Sequence, residues 1–479
     1  MNYGIVVYVL GWVLTLEGAL MSLPFICGLI YGEKTAFSFL IVGAITALLG
    51  VITIIKKPKN QQLYAKEGLA VVGLSWILIS LVGAIPFTVT GQIPSYVDAL
   101  FETISGFTTT GSSILNNVEA LDQCMLFWRS FTHWFGGMGV IVFLLSILPM
   151  VGGFNMHLMR AESPGPSVGK FVPKMKDTAK ILYSIYFVLT FICFVALVLA
   201  GMPVFDSIVT ALGTAGTGGF GIKCDSMASY SSAIQWIVTV FMILFGVNFH
   251  AYFFLLGKDK KQAFKMEEVR AYFAIIIISA LVITWNICGG YEHISDALRD
   301  AFFSVGTVIT TTGFGTADFN LWPTVSKTIL VMLMFMGACA GSTGGGIKVS
   351  RYIIIFKTAL HEIFSYVHPK SVRAIRLEGK PLDKTIVRQV MCFIGVYVII
   401  FNVSLLIISF DGFDVVTNFT AVTATLNNIG PGLNMVGPTG NFAEFSILSK
   451  FVLMFDMLAG RLELFPMLVL FVPSLWRKK

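Results

Sequence analysis

The sequence predicts an all-α polytopic membrane protein with two N-terminal spanning helices followed by four tandem helix–loop–helix units. Three observations carry this prediction. Of the 479 residues, 56% are hydrophobic and only 12% are charged, too little polar surface for a soluble chain of this length. Ten stretches are long and apolar enough for a bilayer core, which takes about 20 residues per helix; they lie near 4–30, 36–55, 69–90, 126–150, 181–201, 233–256, 271–289, 326–357, 388–410 and 446–471. After the second stretch one pattern returns four times: an apolar helix, a shorter segment rich in Thr, Ser and Gly, and a second apolar helix.

The first stretch lacks a small-residue cleavage site and is long enough to span, so it reads as a retained helix rather than a signal peptide. Charge then orients the bundle. Of the 33 Lys and Arg, 26 fall in the regions 56–66, 160–180, 258–270, 348–388 and 477–479, all on one predicted side. The excess of basic residues in cytoplasmic loops places both termini in the cytoplasm. On the opposite side lie 14 of the 26 acids, including Asp98, Glu102, Asp206, Asp300 and Asp414. An acidic outer face would concentrate cations. The basic inner face is a topology signal, and nucleic-acid binding is not expected.

The four middle segments align on one glycine each: DALFETISGFTTTG ends at Gly111, DSIVTALGTAGTGG at Gly219, DAFFSVGTVITTTG at Gly313 and TNFTAVTATLNNIG at Gly430. The glycine intervals are 108, 94 and 117 residues. Asp98, Asp206, Asp300 and Thr417 stand 13 positions before the glycines, where each is expected to cap a helix N-terminus. About ten helical residues cover roughly 15 Å, half the hydrocarbon thickness. Each segment therefore reads as a half-helix that enters from outside, stops midway and returns as extended backbone. Backbone at that depth is tolerated only where protein buries it or where it lines a water-filled path. Glycine permits φ > 0 and close approach of carbonyls to an ion, and the partly negative C-terminal end of each half-helix favours a cation. A ring of carbonyls replacing a hydration shell is how potassium filters work. The candidate cation ligands are the backbones of Thr109, Thr110, Gly111 and Ser112; Thr217, Gly218, Gly219 and Phe220; Thr311, Thr312, Gly313 and Phe314; and Asn428, Ile429, Gly430 and Pro431. Ordinary outer loops with glycine-rich turns would explain one such segment, but not four with the same spacing. The fold class is thus a pseudo-fourfold arrangement of helix–pore-loop–helix units, with 10 transmembrane helices and 4 half-membrane pore helices. Its divisions are 1–60 (N-terminal helix pair), 61–160, 161–262, 263–380 and 381–479.

Two return helices are interrupted. In the third unit the apolar run meets GACAGSTGGG, Gly337 to Gly346, which is too glycine-rich to be good helix. Gly341, Ser342, Thr343, Gly344, Gly345 and Gly346 either form a flexible intramembrane gate beneath the filter or provide a small-residue packing face. In the fourth unit Arg461 is expected in the middle of the last helix, where an ionisable residue is a functional candidate. It either projects into the pore as a barrier charge or is buried as a pair with Asp456 or Glu463. Glu17 reads as a polar contact between helices. His133 and Trp134 read as packing, and Gly136, Gly137 and Gly139 as a close helix contact.

Other chemistries are not supported. The cysteines (Cys27, Cys124, Cys193, Cys224, Cys288, Cys339 and Cys392) are scattered, with no CxxC spacing, so neither a metal site nor a disulfide framework is read. Gly216, Gly218 and Gly221 match GxGxxG by letter but lack the βαβ context of a dinucleotide site. Gly341–Lys348 lacks the ending of a phosphate-binding loop. Glu17, Asp456, Arg461 and Glu463 do not form the cluster that an intramembrane hydrolase needs.

Several motifs together resemble the TrkH/TrkG family of bacterial potassium-uptake subunits, within the Trk/Ktr/HKT cation transporters. They are DALFETISGFTTTGSS, the HWFGGMG of 133–139, GACAGSTGGGIK, the HPKSV…LEGKPL of 368–382 and the AGRLE of 459–463. The resemblance covers essentially the whole chain. It implies K⁺ as the transported ion, with Gly111, Gly219, Gly313 and Gly430 as the filter glycines. It maps the family's gate loop onto the third unit's break and the family's pore arginine onto Arg461. Na⁺-carrying members often have Ser at the first filter position, so Gly111 favours K⁺; a Na⁺-conducting or weakly selective member is the rival expectation. The resemblance further implies a homodimer in the bacterial inner membrane and a separate cytosolic, nucleotide-binding regulator of the TrkA type.

Overall fold

The computed structural model describes residues 1–59, 64–139, 175–257, 260–369 and 374–477. Residues 140–150 of the fourth expected span, the basic residues Arg160, Lys170, Lys174, Lys258, Lys370, Arg373, Lys478 and Lys479, and the unit boundaries at 60/61 and 160/161 lie outside the described residues.

The chain opens with α1 (Tyr3–Leu20) and α2 (Ser22–Tyr31), which together make one apolar stretch of 29 residues, and continues into α3 (Ala36–Ile55). The absence of side chains at Gly11 and Gly18 of α1 lets them meet Gly50 and Gly43 of α3: a methyl group on Gly18 would lie 2.4 Å from the Gly43 carbonyl. Small residues at such crossings let backbones approach where no hydrophobic drive between helices exists. α4 (Ala65–Val89) packs on this pair and on the short helix α5 (Tyr96–Phe107), after which comes α6 (Gln123–Gly137).

The same order recurs three times. The second set is α7 (Met175–Leu199), the short α8 (Val204–Gly216), and α9 (Ser232–Phe245) with α10 (Phe249–Leu256). Then, after α11 (Lys260–Lys265), come α12 (Glu267–Ile287), the short α13 (Ile294–Ile309) and α14 (Thr324–Met334), with α15 (Val349–Val367) beyond a break. The last set is α16 (Lys384–Ile408), the short α17 (Val415–Leu426), and α18 (Ile447–Arg461) followed by α19 (Phe465–Val469).

Among the described residues six helices are long and apolar enough to cross a membrane, or seven if α9 and α10 count as one span. Unbroken spans are thus fewer than the ten apolar stretches: residues 140–150 of one stretch lie outside the described residues, and the return helices of the second, third and fourth units break. α9 and α10 meet at 91° across Gly246–Asn248. Between α14 and α15 the chain leaves the helix for a parallel pairing of Met336–Gly337 with Ile347–Lys348. α18 ends at Arg461, and Glu463 and Leu464 then take φ of 57° and 66°. Arg461 is therefore the last residue of its helix, not the middle of a continuous one.

The four short helices have 12, 13, 16 and 12 residues. The expected caps need correcting. Asp98, Asp206 and Thr417 sit in the first helical turn, and Asp300 lies in the second. Ser95 and Asp414 are the residues whose side chains accept first-turn amides, from Asp98 and Thr417. The four expected caps instead tie the helix starts to neighbouring segments. Lys450 donates to Asp98 at 2.6 Å, Tyr230 to Asp206 at 2.7 Å and Tyr291 to Asp300 at 3.0 Å, while the Thr417 hydroxyl donates to Asp414. That hydroxyl, foremost among its partners, holds the Asp414 carboxyl below the usual carboxylate range.

Candidate functional site

All four short helices end in the same way. Counting back from each aligned glycine, the residue at −1 donates its N–H to the carbonyl at −6: Thr110 to Ser105 (2.8 Å), Gly218 to Gly213 (3.0 Å), Thr312 to Thr307 (2.8 Å) and Ile429 to Ala424 (2.8 Å). The residue at −2 donates to −5, from Thr109, Thr217, Thr311 and Asn428. This pair of bonds is the Schellman closure, which needs a left-handed residue just past the helix. Thr109, Thr217, Thr311 and Asn428 supply it at φ of 56°, 52°, 57° and 56°, although none is glycine. Two residues on, Gly111, Gly219, Gly313 and Gly430 are left-handed again, at 82°, 75°, 94° and 99°. A strand points successive carbonyls to opposite sides; alternating left-handed residues remove that alternation.

The four loops form a closed ring. A methyl group on Gly111 would lie 2.1 Å from the Gly218 carbonyl oxygen, one on Gly219 2.0 Å from Thr312 O, one on Gly313 2.4 Å from Ile429 O, and one on Gly430 2.9 Å from Thr110 O. Each glycine thus backs onto the carbonyl just before the next unit's glycine, and the fourth returns to the first. The structure therefore brings the sixteen candidate ligands, from Thr109 to Pro431, to one locus. Side chains support the ring. Thr108 pairs with Thr110 at 2.8 Å and Thr310 with Thr312 at 2.7 Å. Asn428 Nδ2 reaches across to Thr110 Oγ1 at 2.9 Å and to the Met457 carbonyl at 2.8 Å, and the Ser112 hydroxyl donates to Gly430 O at 3.0 Å. Outside the ring, Ser112, Ser113, Asn116, Gly221, Lys223 and Thr439 help to line a polar cavity.

The glycine-rich segment of the third unit lies against this ring. The Gly345 amide donates to Thr311 Oγ1 at 2.7 Å, and a methyl group on Gly344 would lie 3.0 Å from Thr310 O. Thr343 Oγ1 donates to the Phe245 carbonyl at 3.3 Å. Gly341 is left-handed at φ 68° and accepts from the Phe249 amide at 3.1 Å; Gly346 is left-handed at 66°. Ser342 folds its hydroxyl onto Cys339 O at 2.6 Å. Glu268 closes the segment at both ends, since one carboxylate oxygen accepts Ala340 N–H at 2.8 Å and Ser350 N–H at 3.0 Å.

Arg461 meets the same segment from the fourth unit. Its guanidinium donates to Thr343 O at 2.7 Å, Gly136 O at 2.5 Å and Gly137 O at 2.7 Å. It joins the end of the first unit's return helix to the third unit's break. Of the acids that might have paired with it, Asp456 accepts from Ser404 at 2.8 Å and Glu463 is bridged by Arg351.

Four residues were misread or passed over in the sequence. His133 is more than packing: its Nε2 accepts the Phe220 amide at 3.3 Å, so Nδ1 carries the proton and donates to Gly106 O at 2.8 Å. Its signal was a polar ring in an apolar run. Lys348 and Arg351, counted as cytoplasmic topology charges, are buried at 1% and 5% exposure. Lys348 Nζ bonds the carbonyls of Gly344 and Gly345. Glu268 was not singled out, because nothing in its sequence neighbourhood distinguishes it from Glu267.

Comparison with known proteins agrees with this architecture. A family model described as TrkH, a cation transport protein, matches residues 35–478. The Trk system potassium uptake protein TrkH of Salmonella typhimurium is 36% identical over 489 residues, with all of both chains covered. The Trk system potassium uptake protein TrkG of Escherichia coli is 31% identical, covering 99% of this chain and 98% of its own. The crystal structure of the potassium transporter TrkH from Vibrio parahaemolyticus matches at a TM-score of 0.89 and 33% identity, with full coverage of both chains.

Proposed function

The chain belongs to the TrkH family of cation transport proteins, a membrane transporter family rather than an enzyme family, and from that premise we propose that it takes up potassium across the bacterial cytoplasmic membrane. The observation that carries the reading is the closed ring in which each of four glycines backs onto the next loop's carbonyl. A ring of carbonyls with no room for side chains between its members suits replacement of a cation's water shell. On this reading the backbones of 109–112, 217–220, 311–314 and 428–431 bind K⁺. The break at 341–346, bound by Lys348 and Arg461, closes the path beneath them. Arg461 puts a fixed positive charge next to that path, which raises the barrier to a cation until the segment moves.

Four units, 61–160, 161–262, 263–380 and 381–479, then surround one pore, with the pair in 1–60 outside it. Ten crossings follow when each broken return helix counts as one, with four half-membrane helices between them. The basic residues of 357–388 and 477–479 support cytoplasmic termini. The names of the relatives, each part of a Trk system, support assembly with other subunits; we assign this chain a homodimer and a cytosolic TrkA-type nucleotide-binding regulator.

Reversal potentials across proteoliposomes with opposing K⁺ and Na⁺ gradients test the proposal. The potential should follow K⁺; one that follows Na⁺ equally makes the pore unselective, and no current with or without the regulator makes the reading wrong. Deleting Gly341–Gly345 should raise K⁺ leak in the closed state.

A further inference from the structure

Behind the junction of the first and second loops lies a buried ion pair that bonds both loops, which among the described residues is not repeated at the other three; the Arg299–Asp300 pair bonds Thr316 of the third loop and Ser232 of α9 but no second loop. Glu102, on α5, and Arg129, on α6, are 1% and 3% exposed. Arg129 Nε and Nη2 both donate to Glu102 Oε1, at 2.9 and 2.7 Å. The pair reaches outward in two directions. The carboxylate accepts the Ser113 hydroxyl at 3.0 Å and the Ile114 amide at 3.0 Å, just past Gly111 and Ser112. The guanidinium donates through Nη1 to Gly221 O at 3.1 Å and lies 4.0 Å above the Phe220 ring, just past Gly219. From the other side His133 accepts the Phe220 amide, and its ring centroid is 4.2 Å from that of Phe220.

At the other junctions the loop-to-loop bonds of the described residues are neutral. Met227 N–H donates to Gly315 O between the second and third loops, Asn434 N–H to Asn320 Oδ1 between the third and fourth, and Ser112 to Gly430 O between the fourth and first. Only pore helix 1 places a carboxylate nine positions before its glycine; Thr210, Ser304 and Ala421 stand at the equivalent places.

We propose that the buried Glu102–Arg129 pair, together with Phe220 and His133, is a positioning element that sets discrimination of K⁺ from Na⁺ by fixing how far apart the first and second loops stand. The proposal rests on the filter reading above. Two buried charges that satisfy each other and their remaining hydrogen-bonding groups resist displacement, because moving either one strands the other. A neutral hydrogen bond yields more easily. The first two loops are therefore the stiff side of the ring, against which the other two can adjust. Cavity size or ligand field strength, whichever sets selectivity, changes when that side moves.

The test is the K⁺/Na⁺ permeability ratio of the full protein in proteoliposomes, read from bi-ionic reversal potentials, with thermal unfolding measured in parallel. Glu102→Gln, which keeps the shape and removes the charge, should raise relative Na⁺ permeability by about tenfold, equal to about 1.4 kcal/mol of lost discrimination. Phe220→Leu leaves the ion pair in place and removes only the ring beneath the guanidinium. It should shift the ratio the same way, and it decides the matter if Glu102→Gln fails to fold. Lys450→Met breaks the Lys450–Asp98 pair, which bonds no loop of the ring; it should lower the unfolding temperature and leave the ratio alone. An unchanged ratio in folded Glu102→Gln, or in Phe220→Leu where only that variant folds, overturns the proposal. So does an equal shift in Lys450→Met, which would mean general loosening. Gly313→Ser separates the two levels. If it shifts the ratio while Glu102→Gln does not, only the positioning role is lost; if neither shifts it, the filter reading itself has failed.

Discussion

Alanine at each of the four ring glycines tests the ring with a graded outcome. Every position is left-handed, so a side chain adds a backbone cost of roughly 1–2 kcal/mol at all four alike. The carbonyl behind each glycine is what differs. A carbon should stand about 3.3 Å from a carbonyl oxygen. The new methyl would stand at 2.0 Å for Gly219, 2.1 Å for Gly111, 2.4 Å for Gly313 and 2.9 Å for Gly430. The required displacement is therefore about 1.3, 1.2, 0.9 and 0.4 Å in that order, against the same contact distance. Gly219 and Gly111 press on the backbone of the next loop, which has no flexible end to move aside. Uptake of Rb⁺ by cells lacking other potassium systems would give the readout, normalised to protein in the membrane. Gly219→Ala and Gly111→Ala should reduce uptake at least about tenfold, since backbone strain alone amounts to about that factor in the population of intact ring. Gly430→Ala should retain the most activity. If Gly430→Ala proved the most damaging while Gly219→Ala conducted normally, the cyclic register of the ring would be refuted.

Three further outcomes are expected. Arg461→Ala removes three bonds from a charged donor, each worth about 1.5–3 kcal/mol; leak of K⁺ without regulator should rise at least about tenfold, and an unchanged leak in a folded variant would remove Arg461 from the closed state. Glu268→Ala leaves the amides of Ala340 and Ser350 buried and unbonded, at about 1–3 kcal/mol for each such group. Amide exchange across 338–350 should accelerate while that in α1 and α3 does not, and uniform acceleration would mean that Glu268 supports the whole fold. Glu17→Leu should be neutral or stabilising by unfolding temperature, because both carboxyl oxygens are buried without a hydrogen-bond partner among the described residues and an unpaired buried polar group costs free energy; a large loss of stability would show a hidden partner.

The helices and the ring were legible because both follow from local rules. Apolar length marks a span whatever surrounds it, and a glycine that recurs after the same run of residues marks a repeated turn. The breaks in the return helices were only half legible. The run from Gly337 to Gly346 is extreme enough to be read, but Gly246 is a single glycine and the turn after Arg461 contains none: Glu463 and Leu464 take the left-handed backbone themselves. No propensity argument anticipates that. The charged residues were least legible. A count of Lys and Arg treats Lys348 and Lys357 as equivalent, yet the first is 1% exposed against the glycine-rich break and the second bridges Glu267 near the surface. Whether a charge near a helix end signals topology or is buried beneath a loop depends on contacts distant in sequence, such as Glu268 with Ser350 and Arg461 with Gly136.

The units agree in their outer halves and differ in their inner halves, and the proposed function accounts for that division. Four loops that share one cation must present carbonyls at one radius, so the Schellman closure, the two left-handed residues and the glycine recur with little freedom. Below the ring no such condition applies, and the return helices diverge, with only the first and fourth sharing a contact among the described residues. Gly136 and Gly460 both press on the carbonyl four residues before their own ring glycine, Phe107 O at 1.8 Å and Leu426 O at 2.1 Å for an added methyl group. Gly246 instead meets the Tyr272 hydroxyl, and Gly337 meets the Gly345 carbonyl of its own break. A gate needs one movable segment with fixed neighbours. On the proposed reading the third unit supplies the segment, the fourth supplies Arg461 as its latch, and the first supplies the carbonyls of Gly136 and Gly137 that bond the latch. Because those carbonyls end a helix, they carry its partial negative charge, and on that reading they would keep the guanidinium in position if Thr343 moved away.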